Sequence, residues 1–329
     1  ITCRDWSSDV CSSDLILAAT MVPLQAAFED QSGARIPADA GGLYAAAAVD
    51  VEGDGDADLV LASRTGLRLL LNAGNGTFAD ATAGRLPVLP QAFLGVAVGD
   101  LNGDGHPDLF AVSADGASRL LLNTGAGAFV DASAARLPPA ASIAVEAVLA
   151  DVDGDGDLDI VVASRHHPDR LLLNNGTGTF TAAPASQFPL HLGASTGVAA
   201  ADLNGDGAVD LVFTREDAPP RLLRNDGNGF FADASAAALP GGLPGALGVG
   251  IADVDGDGHA DLVLAAGAAG ILLLRNDGAG VFTAAAPTAA PLPPLYAIKV
   301  AIADLNEDGR PDVVVAGAGQ DRLLLNAGG

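Results

Sequence analysis

Six times along the chain, at intervals of 50, 51, 51, 51 and 51 residues, a nine-residue acidic loop returns between short apolar runs. The copies are Asp50 to Asp58 (DVEGDGDAD), Asp100 to Asp108 (DLNGDGHPD), Asp151 to Asp159 (DVDGDGDLD), Asp202 to Asp210 (DLNGDGAVD), Asp253 to Asp261 (DVDGDGHAD) and Asp304 to Asp312 (DLNEDGRPD). So regular a period restricts the fold to a repeat architecture, in which each unit buries its apolar faces against its neighbours.

The second unit is legible throughout. Gly95 to Gly99 leads into the loop and Leu109 to Ser113 leaves it, and both runs are strand-length and too short for helices. After a turn at Asp115-Gly116 comes a third strand, Arg119 to Leu122, followed by Asn123-Thr-Gly-Ala-Gly, a hairpin connection whose Asn and Gly tolerate positive φ. Phe129 to Ser133 is the fourth strand, and Leu137-Pro138-Pro139 ends the unit. Four antiparallel strands per unit predict an all-β chain folded as a β-propeller, one blade per repeat. A solenoid would not need two hairpins in each unit. Phe28 starts a strand with no blade before it, and the sixth unit stops where its fourth strand should begin. Pairing the two closes a six-bladed ring; the alternative is that the six units are part of a seven-bladed one.

Within each loop, oxygen donors at positions 1, 3, 5 and 9, a glycine at 6 and a main-chain carbonyl at 7 can wrap one hard cation. The expected donors are Asp50, Glu52, Asp54, Asp58 and the Asp56 carbonyl in unit one, and Asp100, Asn102, Asp104, Asp108 and the His106 carbonyl in unit two. Unit three offers Asp151, Asp153, Asp155, Asp159 and the Asp157 carbonyl, and unit four Asp202, Asn204, Asp206, Asp210 and that of Ala208. Units five and six offer Asp253, Asp255, Asp257, Asp261 with the His259 carbonyl, and Asp304, Asn306, Asp308, Asp312 with that of Arg310. Carboxylate-rich, oxygen-only ligation favours calcium over zinc or copper, so up to six structural Ca2+ ions are expected. A single acidic turn of this kind can be merely solvated, whereas six in register point to metal. Glu52 is one methylene longer than the usual donor and Glu307 replaces the glycine at position 4, so sites one and six are expected to be the weakest.

These loops hold about half of the 41 acidic residues and explain most of the formal charge of -25. Even with six divalent ions bound the chain stays acidic, which argues against nucleic acid or an anionic membrane as partner. No apolar run approaches the roughly 18 residues of a membrane span. Residues 1–15 resemble a translated sequencing-library adapter and are set aside from fold reasoning. Both cysteines, Cys3 and Cys11, and Trp6 lie there, so the remainder has no disulfide framework and no thiolate chemistry. Residues 16–27, apolar and ending in small residues, are a candidate remnant of a secretory signal.

The full unit is an apolar strand, D-x-[D/N]-x-D-G-x-x-D, a second apolar strand, LLLN-x-G-x-G-x-F-x-D-x-[S/T] and then LP. Over residues 28–329 it resembles the FG-GAP/VCBS repeat of integrin-α-like β-propellers, including bacterial extracellular proteins of the ASPIC/UnbV type. The resemblance implies calcium in loops on one face of a propeller that serves adhesion or binds protein or glycan outside the cell. It therefore implies an extracellular, cell-surface or periplasmic location. The glycine of the repeat's namesake segment, five residues before the loop, survives at Gly95, Gly197 and Gly248.

No catalytic set emerges, and the chain is expected not to be an enzyme. Gly193 to Gly197 (GASTG) has the letters of a nucleophile elbow, but a strand and an acidic loop follow where a helix is required. His166, His167 and His191 read as solvated, and the recurrent Arg68, Arg119, Arg170, Arg221 and Arg322 as structural ion-pair or packing residues. Tyr44, Phe93 and Tyr296 precede first strands and read as packing residues, with sugar stacking the alternative. Two further alternatives are a polysaccharide-lyase-like propeller and a purely structural segment of a large surface protein. A lyase would need long basic insertions, and this chain has Lys299 as its one lysine.

Overall fold

The computed structural model describes residues 35–37, 42–113, 116–139, 143–189, 194–285, 295–318 and 321–328. Segments 1–15 and 16–27 and the Phe28 strand lie outside them. Each repeat forms its own antiparallel sheet with strands in chain order. Five sheets have four strands, and the sixth has three described ones, Ala297–Ala303, Asp312–Gly317 and Arg322–Leu324. In blade 2 the strands are Phe93–Gly99, Asp108–Ser113, Arg119–Asn123 and Phe129–Asp131. First strands of successive blades, such as Leu43–Val49, Phe93–Gly99 and Ala144–Ala150, lie side by side and form the inner wall. The molecule is a six-bladed β-propeller.

The second strands of blades 2, 3 and 5, Asp108–Ser113, Asp159–Ser164 and Asp261–Ala265, are buried along their whole length because an adjacent blade covers each face. That is why they read as unbroken apolar runs rather than as alternations. The core is accordingly a series of blade-to-blade interfaces, with one apolar cluster between each consecutive pair from blade 1 to blade 6. Between blades 2 and 3, for example, Leu101, Phe110, Leu120, Ile160 and Phe180 pack together. Fourth-strand phenylalanines enter the interface with the preceding blade, as Phe129, Phe180, Phe231 and Phe282 do. Between blades 3 and 4 the linker adds Phe188, edge-on to Phe231 at 5.7 Å and tilted on Phe213 at 6.2 Å.

Single-turn helices, Thr82–Arg85, Ser133–Arg136 and Ser235–Ala238, follow the fourth strands of blades 1, 2 and 4. At four residues they are too short to show a helical period in the sequence. Ser133 Oγ and Ser235 Oγ instead accept third-strand N–H groups from Leu120 and Leu222. Inner strands of five blades carry a bulge before the loop, at Tyr44, Leu94, Val145, Thr196 and Ile298. An open pocket of about 460 Å³ lies against the inner strands of blades 2 to 5, lined by Ala97, Val148, Val198 and Ile251 among others.

Candidate metal centres

Each acidic loop joins the first strand to the second, so all of them open on one face of the ring. Position 9 is the first residue of the second strand and pairs across the ladder with the last residue of the first, as in Val49 to Asp58 and Ala150 to Asp159. Asp58, Asp108, Asp159, Asp210, Asp261 and Asp312 are all fully buried. One carboxylate oxygen accepts the position-2 N–H, from Val51, Leu101, Val152, Val254 and Leu305, at 3.0 to 3.1 Å. The other accepts the N–H of the asparagine ending the third strand, Asn72, Asn123, Asn174, Asn225, Asn276 or Asn326, at 2.7 to 2.9 Å. Burial pushes the Asp108 carboxyl up to about 6 and that of Asp159 up to about 7. It raises Asp210 and Asp261 in the same direction.

Position 1 turns into the loop and collects its N–H groups. Asp50 accepts from Gly53, Asp54 and Gly55, chiefly the last, which holds its carboxyl below the usual range. Asp100, Asp151, Asp202, Asp253 and Asp304 accept the position-6 N–H in the same way. Position 5 accepts the N–H of position 7 in every loop, so Asp54, Asp104, Asp155, Asp206, Asp257 and Asp308 are tied to Asp56, His106, Asp157, Ala208, His259 and Arg310. The position-7 side chains lean elsewhere. His106 and His259 lie over Gly125 and Gly278 of their own blades, where a Cβ would meet the imidazoles at 2.9 and 2.5 Å.

Blades 3 and 5 bring donor oxygens of positions 1, 3 and 9 within 4.8 Å of one another: Asp151, Asp153 and Asp159, and Asp253, Asp255 and Asp261. In each cluster a position-3 oxygen, Asp153 Oδ1 or Asp255 Oδ1, is buried without a hydrogen-bond partner. A buried carboxylate oxygen left this way is costly unless a cation faces it. Burial, then the neighbouring Asp155, raise the Asp153 carboxyl. These two donor sets therefore fit a hard divalent cation. Position 5, expected among the donors, stays outside both clusters.

The other loops bring no such triad together among the described residues, although in blade 4 Asp210 Oδ2 is also buried without a partner. In blades 2, 4 and 6 the position-3 amides of Asn102, Asn204 and Asn306 donate to Asp104, Asp206 and Asp308 at 2.8 to 3.0 Å. Those amides satisfy the acid that a cation would otherwise neutralise. In blade 1, Glu52 faces Arg85 at 3.5 Å, as Asp255 of blade 5 faces Arg275 at 3.4 Å through its other oxygen, Oδ2. In blade 6, Glu307 has φ 61°, alone among the described non-glycine residues in adopting the left-handed region.

A further set of residues was not visible as part of the loops. The asparagine ending the third strand donates its side-chain N–H to the position-2 carbonyl of the preceding blade's loop. Asn123 reaches Val51 O, Asn174 Leu101 O, Asn225 Val152 O, Asn276 Leu203 O and Asn326 Val254 O, at 2.7 to 2.9 Å. The second glycine of the same turn comes against that loop as well. Gly178, with φ +73°, would place a Cβ 3.1 Å from both Asn102 Cβ and Leu101 O. The sequence signal was present in LLLN-x-G-x-G, but a hairpin accounts for the same letters. The acidic loops of blades 1 to 5 are thus gripped by their own blade through position 9 and by the next blade through this turn.

The FG-GAP-like repeat matches residues 50–111, 100–162, 151–213, 202–264 and 253–315, each match running from one acidic loop into the next blade. The chain belongs to the FG-GAP-like repeat family. No curated protein matches it. Solved structures share the propeller fold at low identity. An Agrocybe aegerita lectin that recognises non-reducing terminal N-acetylglucosamine is 23% identical with TM-score 0.55, covering 86% of this chain and 77% of its own. BBS1N, solved in complex with ARL6DN, is 12% identical with TM-score 0.56, covering 88% and 80%. YCF48, solved bound to D1 peptide, is 12% identical with TM-score 0.53, covering 88% and 79%.

The remaining candidates have structural surroundings in this FG-GAP propeller. Ser195 is fully buried and its hydroxyl donates to Asp169, itself buried, so the elbow-like letters sit on an inner strand. Arg68, Arg119 and Arg221 face Asp80, Asp131 and Asp233 at 2.8, 3.7 and 3.0 Å, pairing third strand with fourth. Phe93 is fully buried, Tyr44 is half-buried, and Tyr296 is exposed beside Gly267. His166 is exposed and His167 half-buried, while His191 lies outside the described residues. Among the described residues no helix is long and apolar enough to cross a membrane.

Proposed function

We propose that this chain is a non-enzymatic, calcium-stabilised scaffold of an exported protein, which binds a protein or glycan through its loops. The observation that carries the calcium reading is the pair of three-carboxylate clusters in blades 3 and 5, each with a buried oxygen lacking a donor. Asp151, Asp153 and Asp159, and Asp253, Asp255 and Asp261, would hold the ions, with the other four loops as weaker sites. Bound calcium would neutralise carboxylates that otherwise repel one another, so binding adds to folding stability. A site at tenfold excess of calcium over its Kd adds about 1.4 kcal/mol. Sites of this type in extracellular modules have Kd of about 10⁻⁴ to 10⁻³ M, which suits a millimolar-calcium compartment.

The ligand reading rests on the fold's use elsewhere: the lectin takes a sugar, and the BBS1N and YCF48 structures contain protein or peptide partners. Isothermal titration with calcium should give at least two sites, and Asp153→Asn with Asp255→Asn should remove the tightest of them. A flat titration and a melt unchanged by chelator would end the calcium reading. A glycan array and cross-linking to extracellular protein test the ligand, and cleavage of a uronic-acid polymer would overturn the non-enzymatic assignment.

A further inference from the structure

The inner strands share one register level five residues before each loop. At that level the chain places Ala45, Gly95, Glu146, Gly197, Gly248 and Lys299. Four of the six are glycine or alanine, and the two charged ones stand three blades apart, on opposite sides of the axis. Lys299 Nζ donates to Glu146 Oε1, and Glu146 Oε2 accepts the Val198 N–H at 3.2 Å. Glu146 thus occupies an open backbone donor on the inner edge of blade 4 while it pairs with blade 6.

The small neighbours make room for this contact. A Cβ on Gly197 would lie 2.8 Å from Glu146 Oε2, and one on Gly248 would lie 3.0 Å from Ile298 O and 3.2 Å from Lys299 Cα. Bulges at Val145 and Ile298 fall immediately before the two charged residues, where such an irregularity re-aims the next side chain. Both side chains are a little over a quarter exposed, so the pair is partly screened by water.

We propose that Glu146 and Lys299 form a latch across the axis, tying blade 3 and the inner edge of blade 4 to blade 6. It uses no residue of the acidic loops and is independent of their cation. Hydrogen exchange in constant calcium tests it on Lys299→Met, Glu146→Gln and the reversed pair Glu146→Lys with Lys299→Glu. For a partly exposed pair, strand 297–303 should exchange about threefold faster in each single variant and return toward the wild-type rate in the reversed pair. The Val198 amide should stay fast in the reversed pair, because lysine cannot accept its N–H. Unchanged exchange in both single variants, or a reversed pair as fast as the singles, overturns the latch. If a single variant does not fold, the wild-type protein still decides: high salt should speed exchange in strand 297–303, and no change counts against the pair.

Discussion

At the scale of single residues, the aspartate at position 9 does more than offer a donor. Asp159 accepts two main-chain N–H groups, from Val152 and Asn174, while fully buried. Asp159→Ala would orphan both, and urea unfolding in chelator should show a loss of about 3 kcal/mol. Asp155→Asn, at the exposed position 5, should leave that metal-free stability within about 0.5 kcal/mol. The raised carboxyls of Asp108 and Asp159 give a pH signature. A carboxyl whose folded pKa lies above its unfolded value binds its proton more tightly when folded, so metal-free stability falls as pH rises from about 4 to about 7. In chelator the melting temperature should therefore be higher at pH 5 than at pH 7.5, and saturating calcium should reverse the order by favouring the ionised forms. A melt independent of pH in chelator would contradict this burial. The donor letters were readable from spacing alone; which were buried, and which oxygens lacked partners, depended on strands that pack over them.

At the scale of elements, the third-to-fourth turn links one blade to the loop of the blade before it. Asn225 donates to Val152 O of blade 3 and to Val209 O of its own loop. Replacing it with alanine leaves both carbonyls without a protein donor, and a loss of about 2 kcal/mol in denaturant unfolding is expected. Asn228, on the same turn, donates only locally, to Asp226 O, and Asn228→Ala should be near neutral. The arginine repeat yields a gain instead. Ala182 in blade 3 stands where blades 1, 2 and 4 place Asp80, Asp131 and Asp233, and burial lowers the pKa of the facing Arg170. Ala182→Asp should raise stability by about 0.5 kcal/mol, read from the denaturant midpoint and lost at high salt. Strand order and turn positions were legible because their period and punctuation are local. The asparagine's second bond was not, since it joins Asn225 to a residue 73 positions away.

For the whole molecule, stability lies in interfaces between blades, and the acidic loops sit at their edge. Position-2 residues Val51, Leu101, Val152 and Leu203 are buried in the clusters shared with the next blade. Loosening a loop therefore loosens two blades. Chelation should lower the melting temperature by many degrees, and hydrogen exchange should rise first at the inter-blade turns 123–127, 174–178, 225–229 and 276–280. Exchange confined to the acidic loops would show that they are independent of the interfaces.

Periodicity by itself determined the repeat, its four strands, the propeller and the candidate donors, because each is written in contiguous residues at a constant interval. Only the tertiary structure decided which donors converge, since that depends on where the position-3 side chain turns, toward positions 1 and 9 in Asp153 and Asp255 or onto position 5 in Asn102, Asn204 and Asn306. It alone also showed that the loops of blades 1 to 5 are each held by the following blade, and that Glu146 meets Lys299 across the axis. Those contacts join residues 72, 73 or 153 positions apart, and the packing of blades side by side around the axis is what brings them together.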